Sequence, residues 1–485
     1  MKDKLIQITF YLLLAALIAT GMFFIVYNAT WLVGDDSACI VHTGWGNYYS
    51  LSDYIIPKTG RFYPMAFMLY NVLPMLGLSS VAAHFTLHAV VFALMLLCMC
   101  WVCRKSMSSA KMSIWDYIIL LSIVAFCWAR SYRYFLSTEW SIWIDYILVI
   151  IWALSTYYVH EKQSITAAIV GLMAITYFNY CLEVNSAISF VYGFAGLLFL
   201  RKSSSKLEKI YYIGSILTAI IYFVLYYFLV YAHIGDNIYD ASHGENLALW
   251  QVVLKMFIAQ KPFWIGLVIL GVRGWQIIKH KANYEWWDAL ILSGFAYAGG
   301  CAVMHLHHTV YYWTAALCML PAIVHYLYNW VGNKWTAIIM LVMALVMCHK
   351  LPKVISENQA DREASVQLQQ ILKAHIEAGD NVYYYAPYAE SDGSNAYEWR
   401  QQKEDCLPAY IGDFLNNKKY PLEVVTEYSG TPGVYILPKE NEALAPGAND
   451  QLIQQGDVIF KGGYGDLSIV IIERLLTCEW LRGGG

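Results

Sequence analysis

The stretch IYYIGSILTAIIYFVLYYFLVYA, residues 210–232, decides how this chain folds, because it holds no charged side chain. At ~1.5 Å of rise per residue it forms a helix of roughly 35 Å, enough to cross ~30 Å of bilayer hydrocarbon. Backbone in that medium meets no water, so its N–H and C=O groups must pair within the segment, as a helix allows. Lys206 and Lys209 precede the stretch, and His233 and Asp236 follow it.

Outward from it, apolar blocks recur at 5–33, 80–102, 113–129, 141–159, 165–178, 187–200, 263–278, 288–304, 309–330 and 335–349. Together they predict an α-helical polytopic membrane protein of about eleven spans. Composition agrees, with 59% hydrophobic and 14% charged residues, against about 25% charged in soluble proteins. Trp and Tyr gather at block ends, as in an interfacial belt. A net charge of -3 without a basic run excludes a nucleic-acid partner. Most cysteines lie inside apolar blocks, where a thiol acts as a small apolar group. Cys406 and Cys478 leave two readings open, a disulfide or two free thiols. The N-terminal run exceeds a signal-peptide core and reads as a retained anchor.

Basic residues predict orientation. One set of loops holds Lys2, Lys4, Arg104, Lys105, Lys111, Lys162, Arg201, Lys202, Lys206, Lys209, Lys279, Lys281 and Lys334. The alternating set holds Lys58, Arg61, Arg130, Arg133, Lys255 and Lys261. The positive-inside rule then puts the N-terminus in the cytoplasm and, with an odd number of spans, the C-terminal region outside. From 352 the charges return and no run can span. The expected division is a transmembrane bundle over 1–350 and an extracytoplasmic α/β domain over 351–482. That domain is read as helix 356–378, strand 381–386, helix 402–416, strands 421–426 and 433–437, helix 448–454, and strands 456–461 and 467–473. It lacks a phosphate loop, zinc spacing and nucleophile elbow, which suits a structural or capping role. In the first outer loop, 62–76 is apolar, bracketed by Pro64 and Pro74, and reads as an interfacial helix.

The unusual polar residues gather in the outer loops. Asp35-Asp36 follows the first span; a solvated helix-end pair is the plain reading. With Arg61 returning a cation to that side, one acid can stay ionised while the other takes a proton, as a general base must. Arg130 and Arg133 either snorkel to lipid phosphate or clamp a phosphoryl group, with Glu139 pairing them or holding an acceptor. Glu183 sits in a very short turn, where a carboxylate at membrane depth needs a partner or a wet cavity. His305, His307 and His308 match no familiar zinc spacing and, with Tyr311, suit hydrogen bonds to a phosphate or sugar. Carboxylate, cation and aromatic rings at one bundle face are the chemistry of a sugar–phosphate site.

Gly34-Asp35-Asp36, the 62–76 stretch and the 352–482 region together resemble the lipid-dependent glycosyltransferases of the C-type (GT-C) fold. Asp35-Asp36 followed by Gly60-Arg61-Phe62 is similar to the bacterial O-antigen-modifying glucosyltransferases. The resemblance implies a polyprenyl-phosphate-linked sugar as donor, a glycan or glycolipid acceptor, and Asp35 or Asp36 as base. It implies inversion at the anomeric carbon and residence in the bacterial inner membrane. A divalent metal (magnesium or manganese) serves some members and not others, and no residue decides it. A polymerase or ligase using undecaprenyl-diphosphate glycans is the alternative enzyme. A transporter would want mid-span charges and internal repeats, which are not evident.

Overall fold

Each expected apolar block overlaps a helix in the computed structural model, which describes residues 2–28, 43, 48–57, 60–78, 81–108, 111–132, 134–137, 140–200, 203–234, 248–304, 306, 309–385, 387, 423–438, 445–462 and 468–472. The helices are α1 (Lys2–Tyr27), α2 (Val81–Ser106), α3 (Ile114–Ser131), α4 (Trp140–Lys162), α5 (Ile165–Asn179) and α6 (Ser186–Phe199). There follow α7 (Lys206–Leu229), α8 (Leu249–Ala259), α9 (Pro262–Ile278), α10 (Trp286–Val303), α11 (Thr309–Cys348) and α12 (Leu351–Ala378). Contacts divide the chain into two units. One comprises Met1–Val26, Tyr49–Leu69 and Thr86–Pro352; the other comprises Tyr27–Tyr48, Tyr70–Phe85 and Lys353–Gly485.

Length and composition bear out part of the expected spans. Among the described residues six helices are long and apolar enough to cross a membrane, or seven if α8 and α9, bent by 103°, form one span. At 15 and 14 residues, α5 and α6 reach only about 22 Å each, short of the hydrocarbon thickness. The two blocks expected at 309–330 and 335–349 are two helices that meet at Gly332, φ 79°, within the range given as α11.

Within the first unit hydrogen bonds gather loops at two ends, Ser205 with Gln163 and Glu208 with His160 at one, Asn185 with Asp145 at the other. At one end, Ser113 and Asp116 cap α3 reciprocally, and Ser205 and Glu208 do the same for α7. Asn333 donates to Ser113 Oγ at 3.0 Å and joins α11 to that end. Helices α6 and α7 meet through glycine: a Cβ on Gly193 would collide with the Tyr212 carbonyl oxygen. Only a small residue permits such an approach of two backbones.

The same end holds a buried ion pair. Arg273 donates through Nε and Nη2 to both oxygens of Asp288 at 2.9 and 2.8 Å. Asp288 also accepts from the Tyr326 hydroxyl at 2.6 Å and from the Glu285 N–H at 2.9 Å. With four donors, the carboxylate is well compensated for leaving water. Glu285, in the loop before α10, is held below the usual carboxylate range by His325 and Arg273, with burial opposing.

The second unit contains a mixed five-stranded sheet ordered β4-β3-β5-β7-β6, numbering as β1 and β2 a small hairpin of the first unit (Ile55–Ile56, Arg61–Phe62). Its strands are β3 (Val382–Tyr385), β4 (Glu423–Val425), β5 (Gly433–Leu437), β6 (Asp457–Lys461) and β7 (Ser468–Ile472). Strand β3 runs parallel to β4 and β5, whereas β7 is antiparallel to β5 and β6. Tyr383, Tyr385, Tyr435, Leu437, Leu452, Val470 and Ile472 form its core. The expected strands fall where hydrophobic alternation put them, while the helix expected at 402–416 lies outside the described residues. The interfacial helix expected over 62–76 is replaced by strand β2, a 3-10 turn at Met68–Asn71 and one helical turn at Val72–Met75. Proline at 64 and 74 withholds backbone donors, and the neighbouring N–H groups of Phe62 and Met65 bond to distant partners instead.

Replacing Asp288 by Ala strands the Arg273 guanidinium and should cost about 3–5 kcal/mol of stability. Replacing both members with apolar residues should cost far less. Unfolding of the detergent-solubilised protein measures both, and an Asp288→Ala variant as stable as wild type would show the network to be dispensable.

Candidate functional site

The end opposite the capped one is organised around the β1–β2 hairpin. Gly60 closes its turn at φ 75°, a conformation that favours glycine. Next to it, Arg61 donates from Nε to Glu183 Oε1 at 2.8 Å, and the Phe62 N–H donates to the same oxygen at 3.1 Å. The pair is only partly screened, with side-chain exposures of 19% for Arg61 and 7% for Glu183. The Arg61 guanidinium also lies 4.4 Å from the ring centroid of Tyr63.

Helix α7 supplies the floor of the hairpin. Tyr222 donates its hydroxyl proton to the Phe62 carbonyl at 2.9 Å, and Tyr226 donates to the Gly60 carbonyl at 3.2 Å. Phe62 is buried with Tyr222 and Val230, against which Tyr180, Tyr226 and Ile234 pack. The Met65 N–H donates to the Tyr180 carbonyl at 3.1 Å. Tyr54 stacks on Phe67 at 4.0 Å, so the aromatic residues of the first loop line the same segment.

Arg130 occupies the last turn of α3, at this end of the bundle. Its guanidinium lies 5.3 Å from the Tyr134 ring, and its buried Nε has no hydrogen-bond partner. Tyr134 shares a hydrogen bond with Thr309 at 3.0 Å, and Tyr146 donates to the Val310 carbonyl at 3.0 Å. Gln260 donates to the Thr309 carbonyl at 3.0 Å. Tyr311, half-buried, follows in the first turn of α11. Arg130, Tyr134, Gln260 and 309–311 therefore lie together, and the hydrogen bond from Asn185 to Asp145, next to Tyr146, puts the 180–185 turn and the hairpin at the same end.

Of the sequence-predicted site residues, Arg61 and Glu183 are brought into contact, and Arg130 and Tyr311 lie at the same end. Asp35, Asp36, Arg133, Glu139, His305, His307 and His308 lie outside the described residues. Arg61 forms an ion pair with Glu183; its expected service to the Asp35-Asp36 pair falls on residues outside the described ones. Glu183 caps no helix; it tethers a hairpin 122 positions earlier in the chain. Among the described residues no group of three His, Cys, Asp or Glu could hold a metal ion.

Sequence reading set aside Asp145, the one charged residue in 141–159, as lying near a span end. It is buried on the second turn of α4, and its Oδ2 accepts from Asn185 Nδ2 at 2.9 Å. Being alone in its block was the available signal.

Glu183→Ala would leave the Arg61 guanidinium and the Phe62 N–H without their acceptor, and should cost roughly 2–4 kcal/mol. Glu183→Gln keeps an acceptor oxygen and should lose clearly less. Thermal unfolding in detergent separates the two, and equal stability of the Ala variant and wild type would remove Glu183 as the tether.

No protein-family model matches the sequence, and no curated protein matches it significantly. Among solved structures the chain is similar to ArnT from Cupriavidus metallidurans in the apo state, at 10% identity and a TM-score of 0.46, over 94% of this chain and 97% of that one. It is likewise similar to ArnT from Cupriavidus metallidurans bound to undecaprenyl phosphate, at 11% identity and a TM-score of 0.48, over 95% and 97% of the two chains. Likeness at this level carries no argument about the activity of this chain.

Proposed function

We propose that this protein is a polyprenyl-phosphate-sugar-dependent glycosyltransferase, moving a sugar to a glycan or glycolipid acceptor at the outer face of a bacterial inner membrane. The observation that carries the reading is Arg61, seated by Glu183 and flanked by tyrosine rings at one end of a membrane bundle, with Arg130 at the same end. An anionic headgroup on a membrane-embedded lipid reaches a protein at that depth, and guanidinium groups suit phosphoryl oxygens. The tyrosine rings offer flat faces to a sugar.

In the proposed reaction the bond between the anomeric carbon and the phosphate oxygen breaks, and the bonding electrons leave with the polyprenyl phosphate. Arg61, Arg130 and Arg133 stabilise the charge that develops there. The acceptor hydroxyl oxygen forms the new glycosidic bond with inversion, and its proton passes to Asp35 or Asp36. Glu139, His305, His307, His308 and Tyr311 would orient the acceptor and donor, and a divalent metal is a further candidate participant at the phosphate. The loops richer in lysine and arginine fall at the opposite end of the bundle, so the positive-inside rule puts this end outside.

Purified protein in vesicles should transfer sugar from a polyprenyl-phosphate donor, and Asp35→Asn or Asp36→Asn should lower kcat by roughly 10²–10⁴-fold without loss of folded protein. Arg130→Ala and Arg133→Ala should raise the donor KM. Wild-type transfer by both aspartate variants would overturn the base assignment. Turnover only with diphosphate-linked glycans would favour the polymerase or ligase. A periplasmic reporter fused after residue 350 should be active, and a cytoplasmic signal would reverse the orientation.

A further inference from the structure

Asp145 is an acid for which the proposed reaction has no use. It lies in a stretch, 141–159, with no other charge, and only 3% of it is exposed. A carboxylate at such a place is costly unless its position matters. Its Oδ1 has no hydrogen-bond partner, its Oδ2 accepts from the Asn185 amide, and the Cys181 thiol of the same turn also meets the carboxylate. The second N–H of the same amide goes to the Phe178 carbonyl at 2.6 Å. Both amide protons are thereby committed, which fixes the Asn185 side chain in one orientation.

Asn185 precedes the first residue of α6, yet it makes no side-chain cap for that helix. It instead fastens the turn between α5 and α6 to α4. That turn carries every tether of the hairpin named so far except those from α7: Glu183 holds Arg61 and Phe62, and the Tyr180 carbonyl holds the Met65 N–H. Tyr177, just before the turn, donates to the Met65 carbonyl at 3.2 Å. One face of the turn is thus clamped by Asp145 and the other holds the guanidinium.

We infer that Asp145 is a positioning residue: through Asn185 it fixes the α5–α6 turn and so sets the orientation in which Glu183 presents Arg61. The inference rests on the proposed role of Arg61, but the coupling itself is a property of the fold. Asn185 needs only an acceptor oxygen at this point, so a neutral amide at position 145 suffices where an aliphatic side chain does not.

The test uses the full chain in lipid nanodiscs, with undecaprenyl phosphate as the binding probe. Asp145→Leu should weaken binding roughly tenfold, and Asp145→Asn by about threefold or less. In a Glu183→Gln background, Asp145→Leu should add less than about twofold, because the two act along one chain of contacts. Amide exchange should accelerate at Phe62 and Met65 in Asp145→Leu, with α4 unchanged. Asn185→Ala, which leaves α4 intact, should give the same exchange pattern and decides the matter if Asp145→Leu does not fold. Unchanged exchange at Phe62 and Met65, or an undiminished loss in the Glu183→Gln background, would overturn the inference. Absence of any binding by wild type would instead sink the proposed donor, and the exchange data would still decide the coupling.

Discussion

An acid placed near membrane depth must find donors, and Glu183 finds two that belong to the same short hairpin. One is the Arg61 side chain and the other the Phe62 backbone N–H. That single carboxylate oxygen explains why a loop segment keeps a defined path across the end of a helix bundle. It also fixes a cation that would otherwise move with its long side chain, because the guanidinium fork is anchored at Nε. The tyrosines of α7 hold the hairpin carbonyls from beneath, so its backbone groups are met from two helices rather than by water.

The two ends of the bundle use buried polarity differently. At one, Asp288 takes four donors from α9, α11 and its own loop, and the pair with Arg273 locks helices together. At the other, Arg130 Nε, Asp145 Oδ1 and Asn185 Oδ1 are buried without partners. Unsatisfied polar atoms are a cost that stability alone does not explain. The capped end has such atoms too, Asp116 Oδ1 and the Tyr284 hydroxyl, but at the Arg61 end they belong to a cation and to the acid–amide pair beside it, which suits a region shaped for a polar ligand.

What the sequence made legible follows from which forces are local. Apolar length is local, so the blocks and the strands of the C-terminal region could be read directly, and even the interruption near Gly332 fell between two expected blocks. Where a block begins and ends is less local: α5 and α6 are apolar but only 15 and 14 residues long. The 62–76 stretch was misread because its composition is that of an interfacial helix, whereas its hydrogen bonds go to Glu183 and Tyr180. At the site, Arg61 and Glu183 each stood out as polar residues in the wrong surroundings. Their pairing did not, since 122 positions separate them and only the tertiary fold brings them together.

The contrast between Asp145 and Asp288 bears on what an acid in such a bundle is for. Asp288 is saturated with donors, and a group in that state is an anchor. Asp145 has no cation beside it, only the Asn185 amide and the weakly donating Cys181 thiol, and one oxygen without a hydrogen-bond partner, so its net contribution to stability is small or negative. Its geometry, however, reaches Arg61 through only Asn185, the α5–α6 turn and Glu183, each step a hydrogen bond or a few residues of backbone. A weakly compensated acid at the root of that chain makes physical sense if the quantity being protected is the direction of a guanidinium rather than the free energy of folding.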